Sequence, residues 1–85
     1  MEVSWVYLLR CADGSLYCGW TADLPRRLAA HEAGRASRYT ASRRPVALAW
    51  ARAMPDRRVA RREEARVKSL PRAAKLALLA GAEWA

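Results

Sequence analysis

Two tyrosines, an arginine and a histidine near the start of the chain could together handle a phosphate and a proton. Tyr7 and Tyr17 lie ten residues apart, and Arg27 and His31 lie four residues apart. Residues four apart share one face of a helix. An arginine fork suits phosphate oxygens, and a histidine can accept or relay a proton near neutral pH. Taken alone, however, such tyrosines are typical packing residues of strands, and a lone histidine is usually a surface or capping residue.

An acidic pair, Glu63 and Glu64, lies within an otherwise basic predicted helix. Glu63 falls near the middle of the apolar stripe of that helix and Glu64 at its border; the stripe consists of Val59, Ala60, Val67 and Leu70. A carboxylate at the border could point into a cleft and reach a metal ion. Both glutamates could instead form surface pairs with neighbouring basic residues, so the helical pattern alone leaves the choice open.

The loop of a predicted β-hairpin decides whether the two tyrosines can share a site. Residues 3–11 and 16–20 predict two strands joined by a turn. A two-residue turn would point Tyr7 and Tyr17 to opposite faces of the sheet. A three-residue loop over 12–14, with Gly14 left-handed, places Tyr7 opposite Gly19 and both tyrosines on one face. We predict this loop, and we expect Gly19 to leave space beside Tyr7 for a phosphate or a water.

The rest of the chain predicts helices around a small sheet. Thr21 or Asp23 can cap a helix that runs to about residue 33, where Gly34 ends it. Residues 34–45 predict a loop with at most a short helical turn, and residues 46–54 predict a third strand whose alanines also suit a helix. Asp56 can cap a helix over about 57–70, and Pro71 opens a last helix through residue 79.

The predicted fold class is α+β, with a three-stranded antiparallel β-sheet flanked by helices in the order β-β-α-β-α-α. The length of 85 residues predicts a single domain over 1–85. Cys11 and Cys18 are too few for a disulfide framework and are expected to be small core residues in a reducing cytosol. No signal peptide or membrane-spanning stretch is visible, which predicts a soluble cytoplasmic protein.

The charge balance favours a polyanionic partner. Lys and Arg total 16 against 8 Asp and Glu, which gives a net charge of +8 and a pI near 10.8. DNA, RNA or an anionic membrane would suit that excess. The central loop combines basic residues with one aromatic, which suits backbone contact and base stacking; its residues of this kind are Arg35, Arg38, Tyr39, Arg43 and Arg44.

The ordered combination of these residues resembles the GIY-YIG nuclease superfamily. Val6-Tyr7 stands for the end of the first triplet, and Tyr17-Cys18-Gly19 stands for the second. Arg27, His31 and the late Glu64 complete the pattern, which covers almost the whole chain. The chain is most similar to the small single-domain bacterial members, through the segments VYLLRCADGSLYCGWT, RYT, RRP and EARVKSLPRAAKLALL.

The resemblance implies metal-dependent hydrolysis of phosphodiester bonds in nucleic acid, with DNA favoured over RNA, in a pathway such as DNA repair. It implies one Mg²⁺ or Mn²⁺ held by Glu64, because Glu64 lies four before Lys68 in a segment resembling E-x-x-[VI]-K. The implied catalytic residues are Tyr7, Tyr17, Arg27, His31 and Glu64. The implied nucleic-acid contacts are Gly19, Arg38, Tyr39, Arg43, Arg44 and Lys68.

Roles within this set follow from the resemblance in the same way. Tyr7 would position or deprotonate the attacking water, His31 would help take its proton, and Arg27 would stabilise the transition state. Tyr17 would hold a phosphate oxygen or the water, and the two tyrosines could exchange roles.

Some features depart from the family pattern. The triplets are WVY and YCG, and Lys75-Leu76 stands where many members carry an asparagine. Two other functions remain open: a non-catalytic nucleic-acid-binding module, and an interaction domain that docks through the apolar segment LALLAGAEWA. We expect no membrane partner, and a monomer or a weak homodimer.

Overall fold

The predicted sheet flanked by helices is present in the computed structural model, which describes residues 3–81. The elements are β1 (Ser4–Arg10), β2 (Leu16–Thr21), α1 (Leu24–Glu32), α2 (Arg38–Ala41), β3 (Ala47–Met54), α3 (Arg57–Lys68) and α4 (Arg72–Leu79). The three strands form one antiparallel sheet in the order β2-β1-β3. The α+β class is confirmed, and the central loop adds the single-turn helix α2 to the predicted element order.

The hairpin has the predicted three-residue loop. The amide of Gly14 donates to the carbonyl of Cys11, the amide of Cys11 donates to the carbonyl of Ser15, and Gly14 has a φ of 84°. This loop pairs Tyr7 with Gly19 and Tyr17 with Leu9. Because side chains alternate along a strand, both tyrosines lie on the same face of the sheet, as predicted.

The predicted helix caps are also confirmed, and they fix where α1 and α3 begin. The side chain of Asp23 accepts a hydrogen bond from the amide of Arg26, so Asp23 rather than Thr21 caps α1. Asp56 accepts from the amide of Val59 and caps α3. Each cap satisfies a donor that the first turn of a helix leaves without a partner.

The sheet separates two small cores. On one face, Val6, Leu8 and Cys18 pack against Ala60, Val67 and Leu78 of α3 and α4. On the other face, Leu24 and Leu28 of α1 pack against a second cluster, formed by Tyr7, Leu9, Cys11 and Val46. Glu64 therefore belongs to a helix on one face of the sheet, whereas the side chains of the two tyrosines lie on the other face.

Both cysteines are buried free thiols, one in each core, as expected. In the segment LALLAGAEWA, Leu78 is a core residue, and residues 82–85 lie outside the described part of the chain. Between residues 3 and 81, no helix combines the length and the apolar character that crossing a bilayer requires.

Candidate active site

A chain of buried hydrogen bonds connects three elements on the tyrosine face. The hydroxyl of Tyr7 on β1 lies 2.9 Å from Nε2 of His31 on α1. Nδ1 of His31 lies 2.8 Å from Oγ1 of Thr40 on α2, and that hydroxyl can donate to the carbonyl of Ser37 at 3.4 Å. Since the Thr40 hydroxyl has this acceptor, we assign the His31 proton to Nδ1. Nε2 is then free to accept from the Tyr7 hydroxyl.

Burial supports this assignment of protons. Burial, with the nearby Arg27 charge, lowers the pKa of His31 below its usual value, which favours the neutral ring. Burial also raises the pKa of Tyr7, and the neighbouring Tyr17 raises it further. Near neutral pH, Tyr7 is therefore a protonated donor and His31 a neutral acceptor.

The position of Tyr7 depends on the glycine opposite it. A Cβ added at Gly19 would lie 2.5 Å from the Tyr7 hydroxyl oxygen and 2.6 Å from the Cζ of the same ring. The space over Gly19, which we expected to admit a phosphate or a water, is thus filled by the phenol of Tyr7. Gly19 lets that phenol cross β2 toward the edge of the sheet.

Aromatic residues of the hairpin and the central loop form one wall of the site. The ring of Tyr17 meets the edge of the His31 ring at 5.3 Å and stacks on Tyr39 at 5.8 Å between centroids. The guanidinium of Arg43 lies 3.8 Å from the centroid of the Tyr39 ring and forms a 3.0 Å salt bridge with Asp13. The Tyr17 hydroxyl makes no hydrogen bond within residues 3–81, so it is available to a ligand.

Arg27 and His31 differ more in burial than their shared helix face suggested. Their spacing predicted one shared helix face, but His31 is 1% exposed and Arg27 is exposed to solvent. His31 lies in the last turn of α1, where Thr40 covers it, whereas Arg27 lies in the first turn beside Thr21. The Arg27 charge opposes, but does not cancel, the rise in the pKa of Tyr7 that burial and Tyr17 cause.

The two neighbouring glutamates have different environments. Both carboxylate oxygens of Glu63 accept hydrogen bonds from Arg66, at 2.8 and 2.6 Å, and Arg52 lies 3.9 Å away. The hydrogen bond from Arg66 lowers the pKa of Glu63. The side chain of Glu64 is 23% exposed, and its pairing is a 4.0 Å contact with the exposed Lys68. Glu64 therefore has the weaker ion pair of the two, and its carboxylate is more available to a ligand.

Glu64 lies next to the edge strand β2, on the face of the sheet opposite the two tyrosines. The thiol of Cys18 on β2 contacts the backbone carbonyl of Glu64 at 3.8 Å. Burial raises the pKa of both Cys18 and Tyr7, and the charge of Glu64 raises each of them further. Tyr7 and α3 are thus both placed against β2, from opposite faces of the sheet, at Gly19 and Cys18.

The donors at this edge fit a hard divalent cation. Between residues 3 and 81, no three His, Cys, Asp or Glu side chains form a metal-binding group. Magnesium is commonly held by one or two carboxylates together with water and substrate phosphate oxygens, rather than by a full protein cage. A single partly exposed carboxylate, that of Glu64, matches this mode.

The remaining basic residues of the central loop differ in their hydrogen bonding, although the sequence suggested one shared role. Arg38 is exposed. Arg44 instead donates at 3.1 Å to the carbonyls of Ala41 and Glu32, which ties the loop to the end of α1.

Thr40 is the site residue that sequence reasoning missed. Its signal was the RYT segment, in which only the arginine and the tyrosine were assigned.

The site and the fold define a small α+β domain of the GIY-YIG type. Residues 3–77 match the GIY-YIG catalytic domain. The chain therefore belongs to the GIY-YIG family.

Relatives extend this match over nearly the whole chain. The chain is 52% identical over 79 residues to a UPF0213 protein of Nitratidesulfovibrio vulgaris, covering 93% of this chain and 72% of that protein. It is 44% identical over 73 residues to a UPF0213 protein of Halobacterium salinarum, covering 86% and 95%. The solution NMR structure of a UPF0213 protein from Bacillus halodurans is similar, with 40% identity, a TM-score of 0.59, and coverage of 92% of this chain and 83% of that one.

Membership of the GIY-YIG family implies a nuclease-type function. Proteins of the family are generally endonucleases that use divalent metal ions and act on nucleic acid.

Proposed function

We propose that this protein is a metal-dependent nuclease that hydrolyses phosphodiester bonds in DNA. The observation that carries the proposal is the buried hydrogen bond between the Tyr7 phenol and the neutral His31, next to Gly19 on β2. The helix packed against the same strand carries Glu64, a carboxylate whose ion pair with Lys68 is long. Binding of nucleic acid alone does not require this carboxylate, which would repel phosphate unless a cation neutralised it.

The buried relay is suited to taking a proton from water. A free phenolate at Tyr7 is unfavourable, because burial raises the pKa of its hydroxyl. The oxygen of Tyr7 can instead accept a proton from the attacking water while its own proton moves to Nε2 of His31. Tyr7 stays neutral throughout, and Thr40 keeps the His31 ring oriented through Nδ1.

The charged groups complete the arrangement on the phosphate side. The exposed fork of Arg27 would bind phosphate oxygens and stabilise the charge that grows as water attacks phosphorus. The Tyr17 hydroxyl would hold a further phosphate oxygen or the water. Glu64 would hold Mg²⁺ or Mn²⁺ with water, an ion that neutralises phosphate charge and stabilises the leaving oxygen. The bond to that oxygen then breaks.

Cleavage assays on labelled DNA and RNA, single- and double-stranded, with Mg²⁺, Mn²⁺ or EDTA, test the proposal. We expect DNA products that require a divalent ion and are absent in EDTA. RNA as the preferred substrate would contradict the assignment to DNA. Salt-sensitive binding without cleavage in either metal would contradict the nuclease assignment and indicate a binding module on the same scaffold.

A further inference from the structure

The first half of α3 carries concentrated positive charge that the proposed active site does not use. Four arginines line one groove of about 590 Å³ together with Glu64; they are Arg57, Arg58, Arg61 and Arg62. Within residues 3–81, none of the four has a carboxylate partner, whereas Arg43, Arg52 and Arg66 do. We call this feature the arginine groove.

The stability of α3 does not explain this arrangement. Arg57 and Arg58 occupy the first turn, where the positive end of the helix dipole disfavours cations, and that turn has no acidic residue beyond the N-cap Asp56. Arg57 and Arg61, like Arg58 and Arg62, also place equal charges four residues apart, which destabilises a helix. An anionic ligand would offset both effects.

The positive charge of the groove is dense enough to neutralise the phosphates of a nucleic-acid backbone. The five residue steps from Arg57 to Arg62 cover about 7.5 Å of helix, so the groove carries one positive charge per roughly 1.9 Å. Duplex DNA carries one negative charge per about 3.4 Å along each strand, so the four arginines supply more than enough charge to neutralise one backbone. Arginine forks also match the oxygens of successive phosphates in geometry.

We propose that the arginine groove binds the phosphodiester backbone of the nucleic acid next to the bond that is cleaved, an inference that rests on the proposed function. Glu64 lines the same groove, so a backbone held there leads directly to the carboxylate that would hold the metal ion. Arg27 lies on the helix at the opposite face of the sheet. The bound backbone therefore passes around the edge strand β2. The arginine groove binds it on one side of the cleavage site and Arg27 binds it on the other.

Binding of a labelled DNA duplex, measured by anisotropy across a series of KCl concentrations in EDTA, tests the groove without cleavage. The variant Arg58→Gln/Arg62→Gln should reduce the slope of log affinity against log salt by about 2, because each lost phosphate contact removes about 0.9. The matched control, Arg10→Gln/Arg72→Gln, removes the same charge near the hairpin loop and should leave the slope nearly unchanged. Arg58→Lys/Arg62→Lys keeps the charge and should retain most of the slope.

Thermal melting checks that the variants fold; removal of like charges from α3 should leave the midpoint unchanged or raise it. An unaltered slope in Arg58→Gln/Arg62→Gln, or an equal loss in the control, would overturn the groove even if the wild type cleaves DNA. Conversely, a wild type that shows the expected slopes but cleaves nothing with Mg²⁺ or Mn²⁺ would support the groove and contradict only the proposed catalysis.

Discussion

Both ring nitrogens of the buried His31 have hydrogen-bond partners, and this fixes how the proton can move. Thr40 accepts from Nδ1, so Nε2 faces Tyr7 as an acceptor. A buried polar group without a partner costs more than a typical hydrogen bond contributes. Thr40 is therefore a positioning residue, which acts on the reaction through the orientation of the His31 ring.

Replacing Thr40 by valine should reveal this role. Thr40→Val keeps the shape but leaves the Nδ1–H of His31 buried without an acceptor, so we expect the free energy of unfolding to fall by about 1–3 kcal/mol. The imidazole ¹⁵N chemical shifts should show a changed tautomer population, and the cleavage rate should drop. Thr40→Ser retains the hydroxyl and should recover the wild-type tautomer. Unchanged ¹⁵N shifts in Thr40→Val would contradict the assignment.

The pH dependence of His31 gives a second prediction, made simple because the chain has one histidine. Burial and Arg27 lower its pKa in the folded state below 6.5. The unfolded chain then binds more protons below pH 6.5, so the stability contributed by neutral His31 is lost as the pH falls from that value. Glu63, whose pKa is also lowered, adds its loss only below 4.5.

Titration of the His31 ring protons by NMR measures this directly, and we expect a midpoint below 6.5. Urea unfolding should show a lower midpoint at about pH 5.5 than at about pH 7, and His31→Gln should remove most of that difference. A titration midpoint at or above the ordinary value would mean that the neutral, buried histidine is not the resting form.

At the scale of elements, the hairpin loop decides which side chains can meet. Its three residues bring Tyr7 opposite Gly19 and both tyrosines to one face. Loop length and a left-handed glycine are local properties, and for this reason the sequence sufficed to predict the register. Helix caps such as Asp56 were predictable on the same basis.

Contacts that join distant segments could not be predicted in this way. The helical pattern did not choose between Glu63 and Glu64. The approach of Arg52 from β3 to Glu63, added to the local pair of Glu63 with Arg66, distinguishes them. The full burial of His31 likewise depends on α2, a single turn without an amphipathic pattern of its own. The resemblance to a known family chose Glu64 where the helical wheel could not.

The close approach of Tyr7 to β2 yields a prediction for Gly19. Gly19→Ala places a methyl group 2.5 Å from the Tyr7 hydroxyl oxygen, so the ring must move away from His31. We expect a loss of about 1–3 kcal/mol in the free energy of unfolding, typical of overpacking. The ring-proton shifts of His31 should change as well, as they should in Tyr7→Phe. Wild-type stability together with wild-type His31 shifts would show that the phenol does not cross Gly19.

On the scale of the whole molecule, the sheet separates the tyrosines from α3, and the proposed chemistry lies at its edge. The tyrosines and His31 lie on one face, and α3 packs on the other. The backbone of Glu64 contacts β2, which is an edge strand. The net charge of +8 predicted a polyanionic partner but not its path. The distribution of unpaired arginines across both faces could be seen only once the helices were placed.

The central claim is that Glu64, and not its neighbour Glu63, supplies the carboxylate for metal-dependent cleavage at this edge. The most direct test is the single-turnover cleavage rate of labelled DNA by wild type, Glu64→Gln and Glu63→Gln with Mg²⁺ or Mn²⁺, each corrected for the folded fraction. We expect Glu64→Gln to lose at least about a hundredfold, since a catalytic metal ion supplies several kcal/mol of charge stabilisation. Glu63→Gln should cleave within about threefold of wild type, because its carboxylate serves a surface ion pair. Full activity in Glu64→Gln, or a comparable loss only in folded Glu63→Gln, would contradict the account.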